Sequence, residues 1–288
     1  MRYGSVITMH CNAYKNLVHW IPDKMMKKSI ALVFLFVSGG LAAAPIHEAA
    51  KRCEIKKLAA FIEKKININA KDNKGWTPLM YLAWAVPLNH SLNDIRIKAD
   101  AANNGLDACF EGLQLMIQAG ADVNARAADD TTALFLAMNH STKFVRALVD
   151  AKADPNIGPF EPMNKNEGKL NTPLLFVCNN ALSSDAGVEE IQILLKAGAN
   201  PNEVTRWGLS PLKEAVRHSH VKYVRALVEG GADVNFKGDA GKDSTPLKIA
   251  IEKCNEKLCN NPTFADFSAS KDMQEIIRIL KAAGAKEE

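Results

Sequence analysis

A short phrase returns again and again along this chain, and that recurrence limits the fold more than any other feature. It reads Gln118-Ala119-Gly120-Ala121-Asp122-Val123-Asn124-Ala125, then Lys196-Ala197-Gly198-Ala199-Asn200-Pro201-Asn202, then Glu229-Gly230-Gly231-Ala232-Asp233-Val234-Asn235. Weaker copies are Glu63-Lys64-Lys65-Ile66-Asn67-Ile68-Asn69-Ala70 and Asp150-Ala151-Lys152-Ala153-Asp154-Pro155-Asn156, and a last one breaks off at Ala282-Ala283-Gly284-Ala285. A chain that repeats one unit folds by stacking it, since each unit buries its apolar face only against its neighbours.

A second phrase precedes all but the first copy: Thr77-Pro78-Leu79, Thr132-Ala133-Leu134, Thr172-Pro173-Leu174, Ser210-Pro211-Leu212 and Thr245-Pro246-Leu247. The first unit keeps only Pro45-Ile46-His47-Glu48-Ala49-Ala50. A hydroxyl before proline is a helix start: the oxygen accepts from orphan backbone amides, and proline needs no partner in the first turn. In the fifth unit the following helix runs Tyr223-Val224-Arg225-Ala226-Leu227-Val228, with apolar residues at helical spacing. Gly231 then permits the left-handed backbone that ends a helix, and the Asp/Asn pair beyond it favours a tight turn. Lys65 and Lys152 replace that glycine in two copies, so those helix ends are expected to be strained or differently capped.

Together these phrases resemble the ankyrin repeat, whose hallmark is Thr-Pro-Leu-His-x-Ala, a second helix and Gly-Ala-Asp-x-Asn. The resemblance covers roughly residues 45–286. It implies an all-α solenoid of helix-turn-helix repeats with short β-turn fingers, about six of them with atypical capping repeats, at approximately 45–74, 75–129, 130–169, 170–207, 208–242 and 243–286. The distance from Thr or Ser to the glycine position locates departures from the pattern. Thr77 to Gly120 spans 43 residues and Thr245 to Gly284 spans 39, whereas Ser210 to Gly231 spans 21. Insertions are therefore expected between the paired helices, within about 85–109 and 252–270. A third insertion, residues 157–168, extends a finger.

Ahead of the array, Met26-Lys27-Lys28 leads into the apolar run Ile30–Val37 and the small-residue stretch Ser38–Ala44. That order is the grammar of a secretory signal peptide, and the run is too short for a membrane span of about 20 residues. The expectation is a 26–44 leader cut after Ala42 or Ala43, no stable membrane span afterwards, and a periplasmic or secreted bacterial protein. Residues 1–25 fit no pattern and read as a gene-model extension or a disordered segment. Residues 1–44 carry five basic residues against one acidic, which accounts for the whole net charge of +4. The neutral remainder has no general attraction to phosphate backbones, which argues against nucleic-acid binding.

The chain contains no His-Glu-x-x-His, Gly-x-Ser-x-Gly, phosphate-binding glycine loop or Cys-x-x-Cys, so no catalytic residue, cofactor or metal site is assigned. His47 and His220 fall where the repeat family carries histidine, bonding loop backbone. Cys254 and Cys259 share one insertion and are the candidate disulfide, with their pairing left open; Cys178 reads as a buried free thiol. The resemblance implies protein–protein interaction, by a monomer. Candidate contacts are the turn residues Asp72, Asn73, Lys74, Trp76, Ala128, Asp129, Asp130, Phe160, Arg206, Trp207, Lys237 and Asp239. Trp76 is read either as a binding anchor or as packing between fingers. Alternatives to a general scaffold are an immunity-type protein that neutralises a toxin, a secreted effector acting on host proteins, and last an enzyme.

Overall fold

The structure is a computed structural model that describes residues 45–84, 104–138, 141–159, 171–179, 184–205, 208–237, 244–254 and 266–287, with backbone alone at 104 and 266–270. The leader, Phe160, Arg206, Trp207, Asp239 and Cys259 lie outside these residues, as does most of the 157–168 finger. The described chain alternates short first helices with second helices. The first helices are α1 (Pro45–Lys51), α3 (Pro78–Ala83), α5 (Ala133–Ala137), α7 (Pro173–Asn179), α9 (Pro211–Arg217) and α11 (Pro246–Lys253). The second helices are α2 (Ile55–Glu63), α4 (Asn104–Gln118), α6 (Thr142–Asp150), α8 (Asp185–Lys196), α10 (Val221–Glu229) and α12 (Asp266–Ala282). Among the described residues there is no strand. First helices pack on first helices and second on second, as in α1 on α3, α9 on α11, α8 on α10 and α10 on α12.

Each repeat after the first starts by the same local chemistry. Thr77, Thr132, Thr172, Ser210 and Thr245 accept, through the side-chain oxygen, the amide of the residue three further on, at 3.2–3.4 Å. Each such cap is worth about 1 kcal/mol. The apolar faces then merge into one continuous core that includes Leu58, Leu82, Leu113, Leu134, Phe144, Leu194, Leu212, Tyr223, Leu227, Leu247 and Ile276. In α10 the face Tyr223, Val224, Ala226 and Leu227 is buried, as its spacing requires.

The second helices end in left-handed backbone. Gly120, Gly198, Gly231 and Gly284 have φ of 84°, 92°, 86° and 87°, and Lys65 and Lys152 hold the same conformation at 55° and 71° without glycine's freedom. The expected insertions need a correction at their edges. Residues 104–109 belong to α4 and 266–270 to α12, so part of the extra sequence lengthens helices of 15 and 17 residues, against 9 in α2, α6 and α10.

After each second helix but the last, an asparagine links one finger to the next. Asn69, Asn124, Asn156, Asn202 and Asn235 accept, through Oδ1, the backbone N–H of Asp122, Asp154, Asn200, Asp233 and Lys286 respectively, at 2.7–2.9 Å. The side-chain amides of Asn124 and Asn156 also donate to the carbonyls of Lys152 and Gly198 at 3.1 Å. The second helices are joined by ion pairs of alternating sign. Cations of α6 and α10 (Lys143, Arg146, Lys222, Arg225) meet Asp107 of α4, Glu189 and Asp185 of α8, and Glu275 of α12. All of these are solvent-exposed, so each contributes little alone, on the order of 0–1 kcal/mol.

A covalent link also joins two repeats. Cys53, in the turn between α1 and α2, is disulfide-bonded to Cys109 of α4, with a Cα–Cα distance of 4.7 Å across a sequence separation of 56. Spacing did not single out this pair, because its two members belong to different repeats on either side of an insertion. Cys254 is disulfide-bonded as well. Cys178 is a buried free thiol, held far above the usual thiol range by burial and then by Glu214.

Candidate functional site

The finger between α2 and α3 is built by Asp72. Its Oδ1 accepts the N–H groups of Lys74 (2.8 Å) and Trp76 (2.9 Å), and its Oδ2 accepts the Tyr81 hydroxyl at 2.6 Å. Burial pulls the Asp72 carboxyl upward, but the bonds from Tyr81 and the two amides outweigh it and hold the group below the usual carboxylate range. The Tyr81 phenol is held well above its ordinary value by burial, then by Asp72 and Glu48. Gly75 turns the fingertip at φ 76°, and a Cβ there would lie 2.7 Å from the Ala128 amide nitrogen, so the next finger leaves room only for glycine.

Those two fingers are tied side by side. The Ala128 N–H donates to the Lys74 carbonyl at 3.0 Å, and Lys71 Nζ to the Arg126 carbonyl at 2.8 Å. Asp129 accepts the Thr131 N–H at 3.1 Å, and Asp130, at φ 63°, pairs with Arg126 at 3.6 Å. Asp72, Asn73, Lys74, Trp76, Ala128, Asp129 and Asp130 are therefore brought together in the first two fingers. Lys237 belongs to a finger of the fifth repeat, where its carbonyl accepts from Lys213 Nζ.

Beside these fingers lies an aromatic group that sequence reasoning found only in part. Trp76 packs on Tyr81, at 5.0 Å between ring centres, and meets Trp84 edge to face at 5.3 Å and 87°. Trp76 thus packs on α3 rather than simply between fingers. Trp84 is 44% exposed, an unusual state for a ring that removes so much apolar area from water when covered. The first repeat supports this group. His47 Nε2 donates to the Ala70 carbonyl at 2.9 Å and lies 3.1 Å from the Trp76 carbonyl, while Lys51 Nζ sits 4.6 Å above the Tyr81 ring. Tyr81 and Trp84 stand four and seven residues after the Thr77 cap, a spacing that puts them one turn apart on α3.

Further along, α9 carries buried charge, at Lys213 and Glu214, where α3, α5 and α7 carry none. The Glu214 side chain is 2% exposed, 3.2 Å from Arg217 and 3.9 Å from His218. Burial raises its pKa, and Arg217 and His218 offset part of that rise. His220 is buried between His218 and Tyr223. A shallow groove of about 720 Å³ runs between α4 and α6, lined by Phe110, Gln114, Ile117, Lys143 and Arg146 among others. Among the described residues no three of His, Cys, Asp and Glu converge as a metal site.

Paired helices stacked into one core, capped by Thr or Ser and joined by asparagine-linked fingers, define a helical-repeat solenoid. The chain has the ankyrin-repeat fold: models of ankyrin repeats match residues 46–85 and 180–261. An ankyrin repeat domain from Acinetobacter baumannii superposes with a TM-score of 0.59 at 24% identity, covering 84% of this chain and 98% of that one. A chain from the complex of a predatory endopeptidase of Bdellovibrio bacteriovorus with an immunity protein superposes at 0.53 and 22% identity, covering 82% and 99%. By sequence, the bovine ankyrin repeat and SOCS box protein 3 is 28% identical over 192 residues, 59% of this chain and 33% of that protein. The human ankyrin repeat and KH domain-containing protein 1 is 32% identical over 93 residues, 32% of this chain and 4% of that protein. The chain thus spans a third or less of the length of these curated relatives. Ankyrin repeats bind protein partners.

Proposed function

We propose that this protein is a non-catalytic binding module that grips a protein partner with the first two fingers and the adjoining Trp76–Tyr81–Trp84 group. The observation that carries this reading is the exposure of Trp84 beside a half-buried Trp76, on a platform fixed by Asp72 and His47. Such rings, already ordered and partly desolvated, lose little entropy when covered and make strong anchors. Asn73, Lys74, Ala128 and Asp129 are exposed on the same two fingers.

The working compartment in this reading is the periplasm or the cell exterior of a bacterium, reached with the 26–44 leader. The Cys53–Cys109 disulfide supports it, because such bonds persist in oxidising compartments. Neutralising a toxin and acting on a host protein are two forms of the same binding role, and both would use this face. Affinity capture on immobilised mature protein tests the proposal, with Trp84→Ala run in parallel. A protein retained by the wild type and lost from the variant is the expected result. Equal retention on both places the working surface elsewhere. Cell fractionation tests the compartment, since a cytoplasmic species that keeps Met26 would overturn export.

A further inference from the structure

We infer that the Cys53–Cys109 disulfide is a redox latch on the aromatic group: closed, it holds the first repeat in place and so completes the Trp76–Tyr81–Trp84 platform; opened, it releases that support. The inference rests on the proposed binding role only for its biological meaning. Its structural half stands on contacts already described.

The first repeat has little of its own to hold it. The α1 helix has seven residues and α2 has nine, both shorter than an isolated helix needs to persist in water. Only Leu58 of α2 is fully buried. The repeat is placed by α1 lying on α3 and α2 lying on α4. The disulfide acts at that joint, since it ties the α1–α2 turn to α4. It closes a long loop, and long loops gain the most from a cross-link in chain-entropy terms.

What the latch holds is specific. Through α1 it fixes His47, whose ring reaches the carbonyls of Ala70 and Trp76, and Lys51, whose ammonium covers the Tyr81 ring. These contacts add to those of Asp72 at the Trp76 backbone and cover one face of Tyr81. Loosening α1 removes both from the platform while leaving the repeats from α5 onward with their own neighbours, because repeat arrays lose structure locally.

The sulfurs also differ in access: Cys53 is half-buried and Cys109 is buried. A dithiol reductant would therefore attack the Cys53 sulfur. Its thiolate forms a bond to that sulfur, the S–S bond breaks, and Cys109 leaves as a thiolate that takes a proton from water. The reductant's second thiol then attacks the mixed disulfide, releases Cys53 as a thiol and closes its own ring disulfide. The protein gains two electrons and two protons, and the dithiol loses them. A disulfide-bearing oxidant runs the same steps backward.

Hydrogen exchange followed by mass spectrometry on the full chain tests this. Cys109→Ala is the variant of choice, because it leaves the α1–α2 turn at Cys53, with its φ of 51°, unchanged in sequence. In the variant, amides of 45–63 and 76–84 are expected to exchange at least roughly tenfold faster than in the oxidised wild type, while those of 208–237 keep their rate. Dithiothreitol should bring the wild type to the same state in 45–84, and should change nothing further there in the variant, which separates this bond from the one at Cys254. Unchanged exchange in 45–84, or acceleration spread equally over 208–237, overturns the latch. The capture experiment keeps the two proposals distinct. If Trp84→Ala loses the partner and Cys109→Ala retains it, the latch fails and the binding face stands; if Trp84→Ala retains it, the binding face fails and the exchange rates alone judge the latch.

Discussion

Asn124 and Asp154 sit in successive fingers, and the Asp154 N–H donates to the Asn124 side-chain oxygen at 2.7 Å while the Asn124 amide returns a bond to the Lys152 carbonyl at 3.1 Å. One side chain thus satisfies two backbone groups of its neighbour, and it does so where Lys152 already holds a left-handed backbone. Asn124→Ala is expected to cost about 1–2 kcal/mol, because two hydrogen bonds are lost at an exposed joint. Equilibrium urea unfolding should show a lower midpoint. A midpoint equal to that of the wild type would mean that water replaces both bonds without loss.

Trp84→Ala separates binding from folding. With Trp84 already 44% exposed, its truncation should move the melting temperature little. Partner affinity, measured by titration calorimetry, should fall by about 1–3 kcal/mol, or roughly tenfold to a hundredfold.

The start of each repeat after the first was legible in the sequence, because a hydroxyl cap is local chemistry, and Thr77, Ser210 and Thr245 all cap as their residue types require. At Lys65 and Lys152 the residues left strain or a different cap open, and the chain keeps the left-handed turn that glycine holds elsewhere. The Cys53–Cys109 bond was not, since it depends on how two repeats stack across an insertion rather than on spacing along the chain. Trp84 was missed because α3 is apolar all round, from Pro78 to Ala83, so periodicity could not say which ring stays in water. Of the finger residues, those in the first two fingers converge, and Lys237 does not share their site.

Glu190 makes stability fall as pH rises. Burial, with Glu189 second, pushes its carboxyl up to about 7 from an ordinary value of 4.5. The folded state therefore holds a proton that the unfolded chain gives up between these values. The stability that this protonation contributes is complete below pH 4.5 and is lost as pH passes through about 7. Glu190→Gln should raise the melting temperature at pH 8, by the equivalent of about 1–3 kcal/mol, and leave it nearly unchanged at pH 4.5. Scanning calorimetry at both values checks the sign.

Leu227→Asp places a carboxylate at a fully buried position in α10. The charge has no partner there, so the cost should exceed about 4 kcal/mol and melt the repeats around it. Circular dichroism should show loss of helix at 25 °C; a native-like spectrum with an unchanged melting temperature would contradict the stacking of α10 in the core.

The alternating ion pairs of the second helices give the array a grammar of two. Cations on α6 and α10 are separated by the acidic α8, and α10 is followed by the acidic Glu275 of α12. Excising residues 170–207 would set Lys143 and Arg146 against Lys222 and Arg225, like sign against like, while removing two adjacent repeats would restore opposition. Losing copies in pairs would therefore keep opposite charges facing one another along this edge, where losing one would not, a difference on the order of 0–1 kcal/mol per contact.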